Sequence, residues 1–382
     1  VRVDTKVLDE MGETINKKLD ELTSEIYNYA GDEFNIQSPK QLGEILFEKL
    51  EIPYPKKKKT SYSTAREILD KIVDYHPIVE KIIEHRTLNK IYTTYIVGIK
   101  NCVKEDGKLH TIYTQTLTRT GRLSSIEPNL QNIPIRYKEG KEIRKAFIPE
   151  EDSVFLSSDY SQIELRMFAH MSGEQNLIDA FKHHLDIHTK TAMDIYHVSK
   201  DEVTKNMRRD AKAVNFGIIY GISSFGLAED LGVDIKTAKK FLDNYLETFP
   251  GIKNYMDKII KDAYEKGYVK TIMNRKRNID ELYNTNHMIK VQGERMALNT
   301  PVQGSSADIL KKAMIDIYNE FNRLNLKSKM ILQVQDELIF NVKNDELEKV
   351  KEIVINFMEN AYKLNVPLEV DVEIGKNWYD AK

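Results

Sequence analysis

Cysteine is nearly missing from this chain: Cys102 is the only one among 382 residues, so no internal disulfide can form. That fits a reducing compartment, and Cys102 reads as a small core side chain. Long apolar runs are also missing. No stretch approaches the roughly 20 residues that a membrane-spanning helix needs, and no secretory leader is visible. Neither sign of charge prevails. Lys and Arg number 57 against 59 Asp and Glu, a net charge of −2, which excludes a protein coated in positive charge. There is no internal repeat and no low-complexity tract. The first residue is Val1, and a piece of a longer protein is expected.

What is present is enough for a well-buried core and two or three subdomains, with 41% hydrophobic and 30% charged residues. The charge is unevenly spread. Residues 51–150 hold 19 Lys and Arg against 12 Asp and Glu, whereas residues 1–50 hold 6 against 11. A basic face on a neutral protein suits a polyanion bound on one side; a solvated lysine-rich surface would look the same.

Val7, Leu8, Met11, Ile15, Leu19, Leu22, Ile26 and Tyr29 recur at helical spacing and predict an amphipathic helix over residues 4–30, stopped by Gly31. A second helix is expected through PKQLGEILFEKL, an exposed loop through PYPKKKKTSYST, and helix again over 64–97. The texture changes near residue 108 to Thr, Tyr and β-branched residues, which predict strand and then loop. SVFLSSDY predicts a strand ending near Asp159, followed by a helix. Residues 174–300 read as mostly helical, broken at Gly221, Pro250-Gly251 and Gly267. Two strands are expected on either side of Gln335-Asp336, then a helix over 345–363 and a last strand in LEVDVEIG. A sheet split by a long helical insertion is α+β.

Four stretches could carry chemistry. In KMILQVQDELIF, Asp336 and Glu337 sit between apolar runs, where two desolvated carboxylates cost several kcal/mol unless something offsets them. A turn would explain one Asp. If Asp159, at the end of a neighbouring strand, meets Asp336, a divalent cation between them would neutralise both. Taken alone, Asp159 in DYSQIELR could equally be a helix N-cap. In RRDAKAVNFGIIYG, Arg208, Lys212, Phe216 and Tyr220 are each four apart and share one helical face. Two cations followed by two rings suit a nucleotide's phosphates and base, although Phe216 and Tyr220 could instead be core. The loop TRTGRLSSIEPNLQNIPIR offers Arg, Ser, Asn and Gln groups suited to phosphates and base edges, and Asn299 and Gln303 share a helical face in ALNTPVQGSSAD.

Together these stretches resemble the A family of DNA polymerases, of the bacterial polymerase I type, in its polymerase (Klenow-like) region. DYSQIELR resembles the family's motif A, RRDAKAVNFGIIYG its motif B and QVQDELIF its motif C; TGRLSSIEPNLQNIP, NTPVQGSSADI and the ending GKNWYDAK match further segments. The resemblance runs through essentially the whole chain. It implies a right-hand fold: a helical thumb at 1–105, an antiparallel-sheet palm at 106–165 and 306–382, and helical fingers at 166–305. It implies a DNA-directed DNA polymerase that binds primer-template DNA and deoxynucleoside triphosphates, with two Mg²⁺ (or Mn²⁺) ions on Asp159, Asp336 and the main-chain carbonyl of Tyr160. Glu337 would be an auxiliary carboxylate. Arg208, Lys212, His188 and Gln162 would surround the triphosphate. Phe216 would stack by the incoming base, and Tyr220 would hold the template-base stacking position. Glu164 would exclude a ribose 2′-OH. Arg86 and Lys90 on the thumb, with Arg122, Asn132, Arg295, Asn299, Gln303 and Gln335, would contact DNA. A cytoplasmic, nucleoid-associated monomer with no membrane contact is expected.

Two departures stand out. The family usually has His where this chain has Gln335, and no proofreading or flap-cleaving site can be placed in this chain. The rivals are a two-metal nuclease, which also pairs carboxylates, and a catalytically weakened DNA-binding fragment.

Overall fold

The computed structural model describes residues 1–55, 61–135 and 137–382. Arg136 and much of the expected lysine-rich loop lie outside them. The described chain divides into two units. The first comprises Val1–Ile112, Ile126–Glu151 and Gly375–Lys382; the second comprises Tyr113–Ser125 and Asp152–Ile374. Residues 126–151 and the last eight residues, expected from the sequence in the palm, thus group with the N-terminal helices.

In the first unit the predicted amphipathic helix is α1 (Thr5–Ala30). Asp4 caps it by accepting from the Lys6 amide, and Gly31 ends it at φ 64, a conformation that glycine adopts without a Cβ clash. Its apolar stripe, including Leu8, Ile15, Leu19, Leu22 and Ile26, is buried and packs on α2 (Pro77–Lys90). His76 caps α2, with Pro77 in the first turn, where its missing N–H costs nothing. A short ladder joins Arg2–Val3 to Phe147–Ile148. Trp378 is fully buried edge-on to Phe147, 5.3 Å between ring centroids, and the Arg144 guanidinium lies 4.3 Å over it.

The second unit is built on a four-stranded sheet. Its strands are β1 (Ser153–Tyr160), β2 (Lys329–Val334), β3 (Glu337–Lys343) and β4 (Val370–Gly375), in the order β4-β1-β3-β2. β1 pairs antiparallel with β3, from Ser153 opposite Lys343 to Asp159 opposite Glu337. β2 and β3 form the expected hairpin. Six of the seven β3 residues are buried, because both faces of the sheet are covered. On one face Tyr160 Oη donates to the Met358 carbonyl at 2.6 Å, from the helix Leu347–Glu359.

Between β1 and β2 lies the helical insertion. It includes α3 (Ile163–Ser172), α4 (Ile187–Tyr196), α5 (Lys205–Ile219) and α6 (His287–Arg323). α6 runs 37 residues through Pro301, continuous across the 305/306 boundary read from the sequence. A small hairpin, Tyr268–Lys270 with Lys276–Asn278, was not expected. It is polar, short and without apolar alternation, and its pairing rests on packing against α6.

Candidate active site

Asp159 stands one residue from the end of β1, opposite Glu337 on β3. The Tyr160 amide donates to the Asp336 carbonyl at 3.2 Å, so the ladder itself brings Asp159 and Asp336 to one end of the sheet. Asp159 is therefore a strand residue and not a helix cap. The cap position of α3 is Gln162, at φ 53 and without a side-chain capping bond. Asp336 does lie in a tight turn, as the plainer reading had it, and that turn is at the same end of the sheet as Asp159. Gln335 has φ 57 at the first turn position. A two-residue loop with positive φ only there is a II′ turn, which normally takes Gly. The Gln333 side chain donates to the Gln335 carbonyl. Gln333 is itself tied to Tyr113, whose hydroxyl accepts from its amide at 2.8 Å and donates to its carbonyl at 2.9 Å.

Burial, reinforced by the Glu164 carboxylate, pushes the Asp336 carboxyl up to about 6; Arg122 opposes the shift, its guanidinium 3.9 Å away. A buried carboxylate that Arg122 offsets only in part is what a bound cation would relieve. Glu337 is 1% exposed and accepts from Ser157 Oγ at 2.6 Å, so it is a buried supporting carboxylate. Among the described residues no group of three or more His, Cys, Asp or Glu is gathered to hold a metal. Two Asp carboxylates and the Tyr160 carbonyl are hard oxygen donors, few in number, which fits an ion that fills its other positions with water or phosphate oxygens.

α5 presents the face read from the sequence. Arg208 and Lys212 are exposed and Phe216 is half-buried, while Ala211, Val214, Asn215 and Ile218 face the core. Tyr220 caps the helix and is 38% exposed, so it is not a core residue. Arg208 Nε donates to Asp186 Oδ2 at 2.6 Å and Nη2 to Oδ1 at 3.3 Å. Asp186, not anticipated, also caps α4 by accepting from the His188 and Thr189 amides. Hydrogen bonds from Arg208 and Thr189 outweigh its desolvation and hold its carboxyl down at about 2. His188, also on α4, lies with its ring 5.9 Å from Phe216.

Glu164, 5% exposed, ties the two parts of this unit together. It accepts from Arg122 and from the Tyr220 hydroxyl. Burial and the Glu164 charge raise the Tyr220 phenol well above its ordinary range. Arg122 sits on a loop held by Arg275, another residue the sequence did not single out. Its guanidinium donates to Asp308 at 2.9 Å, the Thr120 carbonyl at 2.6 Å and the Gly304 carbonyl at 3.1 Å. Gly121 has φ 86, and a Cβ there would lie 2.3 Å from that guanidinium. A recess beside the turn is lined by Arg122, Lys311, Gln333, Gln335 and Asp336.

Arg295, Asn299 and Gln303 follow one another on α6, Arg295 exposed and the others half-buried. Asn299 Oδ1 and Gln162 Oε1 are buried without a partner among the described residues, as acceptors awaiting a donor would be. The remaining candidates belong to the first unit. Arg86 donates to the Thr64 carbonyl and hydroxyl at 2.5 and 3.2 Å, so it braces its own helix against the neighbouring loop. Lys90 is exposed. So is Asn132, whose carbonyl accepts from Tyr95 Oη at 2.6 Å.

A split antiparallel sheet with aspartates at one end, set in one unit with a cationic–aromatic helix, is the frame of a nucleotide-handling enzyme. The family whose model matches is DNA polymerase family A, over residues 5–380. The chain belongs to that family. It is 53% identical to DNA polymerase I of Bacillus caldotenax and 52% identical to that of Lactococcus lactis subsp. lactis, in each case over 100% of this chain and 44% of the relative. It therefore spans less than half the length of these relatives. A solved structure, the POL domain of Pol1 from M. smegmatis in complex with DNA primer-template and dNTP, is similar with a TM-score of 0.95 and 39% identity, covering 100% of this chain and 68% of that one. The fold is accordingly the right-hand polymerase fold, of the α+β class. Among the described residues no helix is long and apolar enough to cross a membrane.

Proposed function

We propose that this chain is a template-directed DNA polymerase. In this reading the primer 3′-hydroxyl attacks the α-phosphorus of a deoxynucleoside triphosphate and pyrophosphate leaves. The observation that carries it is the juxtaposition at the sheet's end of Asp159 with Asp336, in the same unit as the Arg208–Lys212 face. Asp159, Asp336 and the Tyr160 carbonyl would hold divalent metal, Mg²⁺ with Mn²⁺ as a substitute. Bound there, two such ions would favour the ionised primer hydroxyl and neutralise charge on the leaving group. The chain's own residues supply positioning and charge. Arg208 and Lys212 hold the triphosphate, with His188 and Gln162 beside it. Phe216 stacks by the incoming base, and Tyr220 occupies the template-base position. Glu164, fixed by Arg122 and Tyr220, crowds a ribose 2′-OH. Glu337 serves as an auxiliary carboxylate near the primer end. Arg122, Arg295, Asn299, Gln303 and Gln335 meet primer-template DNA, joined by Arg86, Lys90 and Asn132 from the first unit. Thumb, palm and fingers are assigned to 1–105, to 106–165 with 306–382, and to 166–305.

A nuclease would also pair carboxylates, but it has no need for the triphosphate face of α5. The deciding experiment is extension of a labelled primer-template with Mg²⁺ and four deoxynucleotides, beside Asp336→Ala. Templated extension in the parent, lost by about 10³-fold or more in the variant, is expected. Shortening of the primer without nucleotides would establish the nuclease instead.

A further inference from the structure

Three buried polar side chains stand in a row behind the cationic face. Thr191 and Asn215 are 0% exposed and His188 is 4% exposed. Thr191 and His188 are on α4, and Asn215 is on the core side of α5, next to Phe216. Buried groups of this kind need partners, and here each supplies the next. Thr191 Oγ1 donates to Asn215 Oδ1 at 3.1 Å. With the hydroxyl as donor, the amide turns its nitrogen towards the imidazole. Asn215 Nδ2 lies 3.1 Å from His188 Nδ1. An amide N–H only donates, so in this orientation Nδ1 accepts, and in a neutral ring the single proton then sits on Nε2.

The surroundings keep the ring neutral. Burial, with Arg208 and Lys212 on α5, pushes His188 down to about 4 against the pull of Asp186 at the start of its own helix. A ring with its proton on Nδ1 would turn a lone pair towards any anion at Nε2.

We propose that Asn215 is a positioning residue: braced by Thr191, it fixes His188 in the Nε2–H tautomer, so that a neutral imidazole donates a hydrogen bond to a nucleoside triphosphate. The inference rests on the reading of His188 as a triphosphate contact in a polymerase. It gives the site a directional donor that is indifferent to pH across the neutral range, beside two permanent cations.

The test uses the chain with ¹⁵N-histidine. Long-range ¹⁵N–¹H spectra, with His188 assigned from His188→Ala, are expected to show the neutral Nε2–H form at pH 7; the Nδ1–H form would overturn the proposal. Asn215→Asp places an acceptor opposite Nδ1 and moves the proton there. KM for deoxynucleotide is expected to rise about tenfold at pH 8 with kcat within about threefold. It should recover towards pH 6, as the new carboxylate favours an imidazolium that donates from both nitrogens. The parent KM should stay flat over that range. In the His188→Ala background Asn215→Asp should add nothing. A pH-independent rise, or a full rise without His188, would show a merely structural role. If Asn215→Asp does not fold, Thr191→Val is used: it frees the amide to turn over and should mix the two tautomers, and an unchanged spectrum would overturn the proposal. Failure of the parent to extend a primer at all would sink the polymerase reading itself. Extension with an unchanged KM in His188→Ala would sink only this inference.

Discussion

Asp186 fills the fork of Arg208 with two hydrogen bonds, in the position a phosphate would take. If Arg208 is a triphosphate contact, as we propose, incoming triphosphate would share or displace that carboxylate. Asp186→Asn keeps an N-cap of equal quality and removes the charge. KM for deoxynucleotide should fall several-fold with kcat little changed, read by steady-state single-nucleotide insertion. The same residue sets a pH window. Its folded pKa of about 2 lies below the ordinary value of 3.8, so its contribution is present above about pH 4 and is lost as pH falls towards 2. Acid unfolding followed by far-UV circular dichroism should therefore be shallower on its lower limb in Asp186→Asn. The motif B resemblance further implies that Phe216, half-buried beside His188, discriminates against dideoxynucleotides, and we propose that role for it. Phe216→Tyr should relax it, and equal termination before and after the change would contradict that assignment.

Between residue and molecule, loops are fixed by guests from other elements. The loop bearing Arg122 is held by Arg275, which reaches the Thr120 carbonyl across 155 positions. A lysine ammonium has three donors but no planar fork to span the three acceptors that Arg275 reaches. Gly121 is needed twice, for its positive φ and for the close approach of that guanidinium. Gly121→Ala should cost about 1–3 kcal/mol and weaken primer-template binding, as measured by urea unfolding and fluorescence anisotropy. Little of this was legible in the sequence. TRTGRLSS reads as a polar loop, and nothing in it names the arginine that clamps it. The face of α5 was legible, because four-residue spacing alone defines one side of a helix.

Across the whole molecule, the lone tryptophan is a reporter for one unit. Trp378 packs against Phe147 and Arg144, residues of the first unit that the chain brings from far apart. Trp378→Ala should destabilise that unit by about 3–5 kcal/mol. In the parent, tryptophan fluorescence follows this unit, while circular dichroism sums both. The check is hydrogen exchange in the variant: protection should drop in α1 and α2 and be retained in β1 and β3. Equal loss in both units would show that they unfold as one.

By itself the sequence determined what is settled within a few residues. These are the amphipathic stripe of α1 and its stop at Gly31, the buried strand before Asp159, the hairpin around Gln335-Asp336 and the motifs that resemble family A. Tertiary structure decided what depends on partners far along the chain. It made Asp159 a strand residue rather than a cap and buried Glu337 on Ser157, 180 positions away. It turned Arg86 onto Thr64, and it lined up Thr191, Asn215 and His188. The physical reason is range. Backbone propensity and side-chain periodicity act over one or two turns, whereas a buried polar group takes whichever partner the packed core leaves within reach.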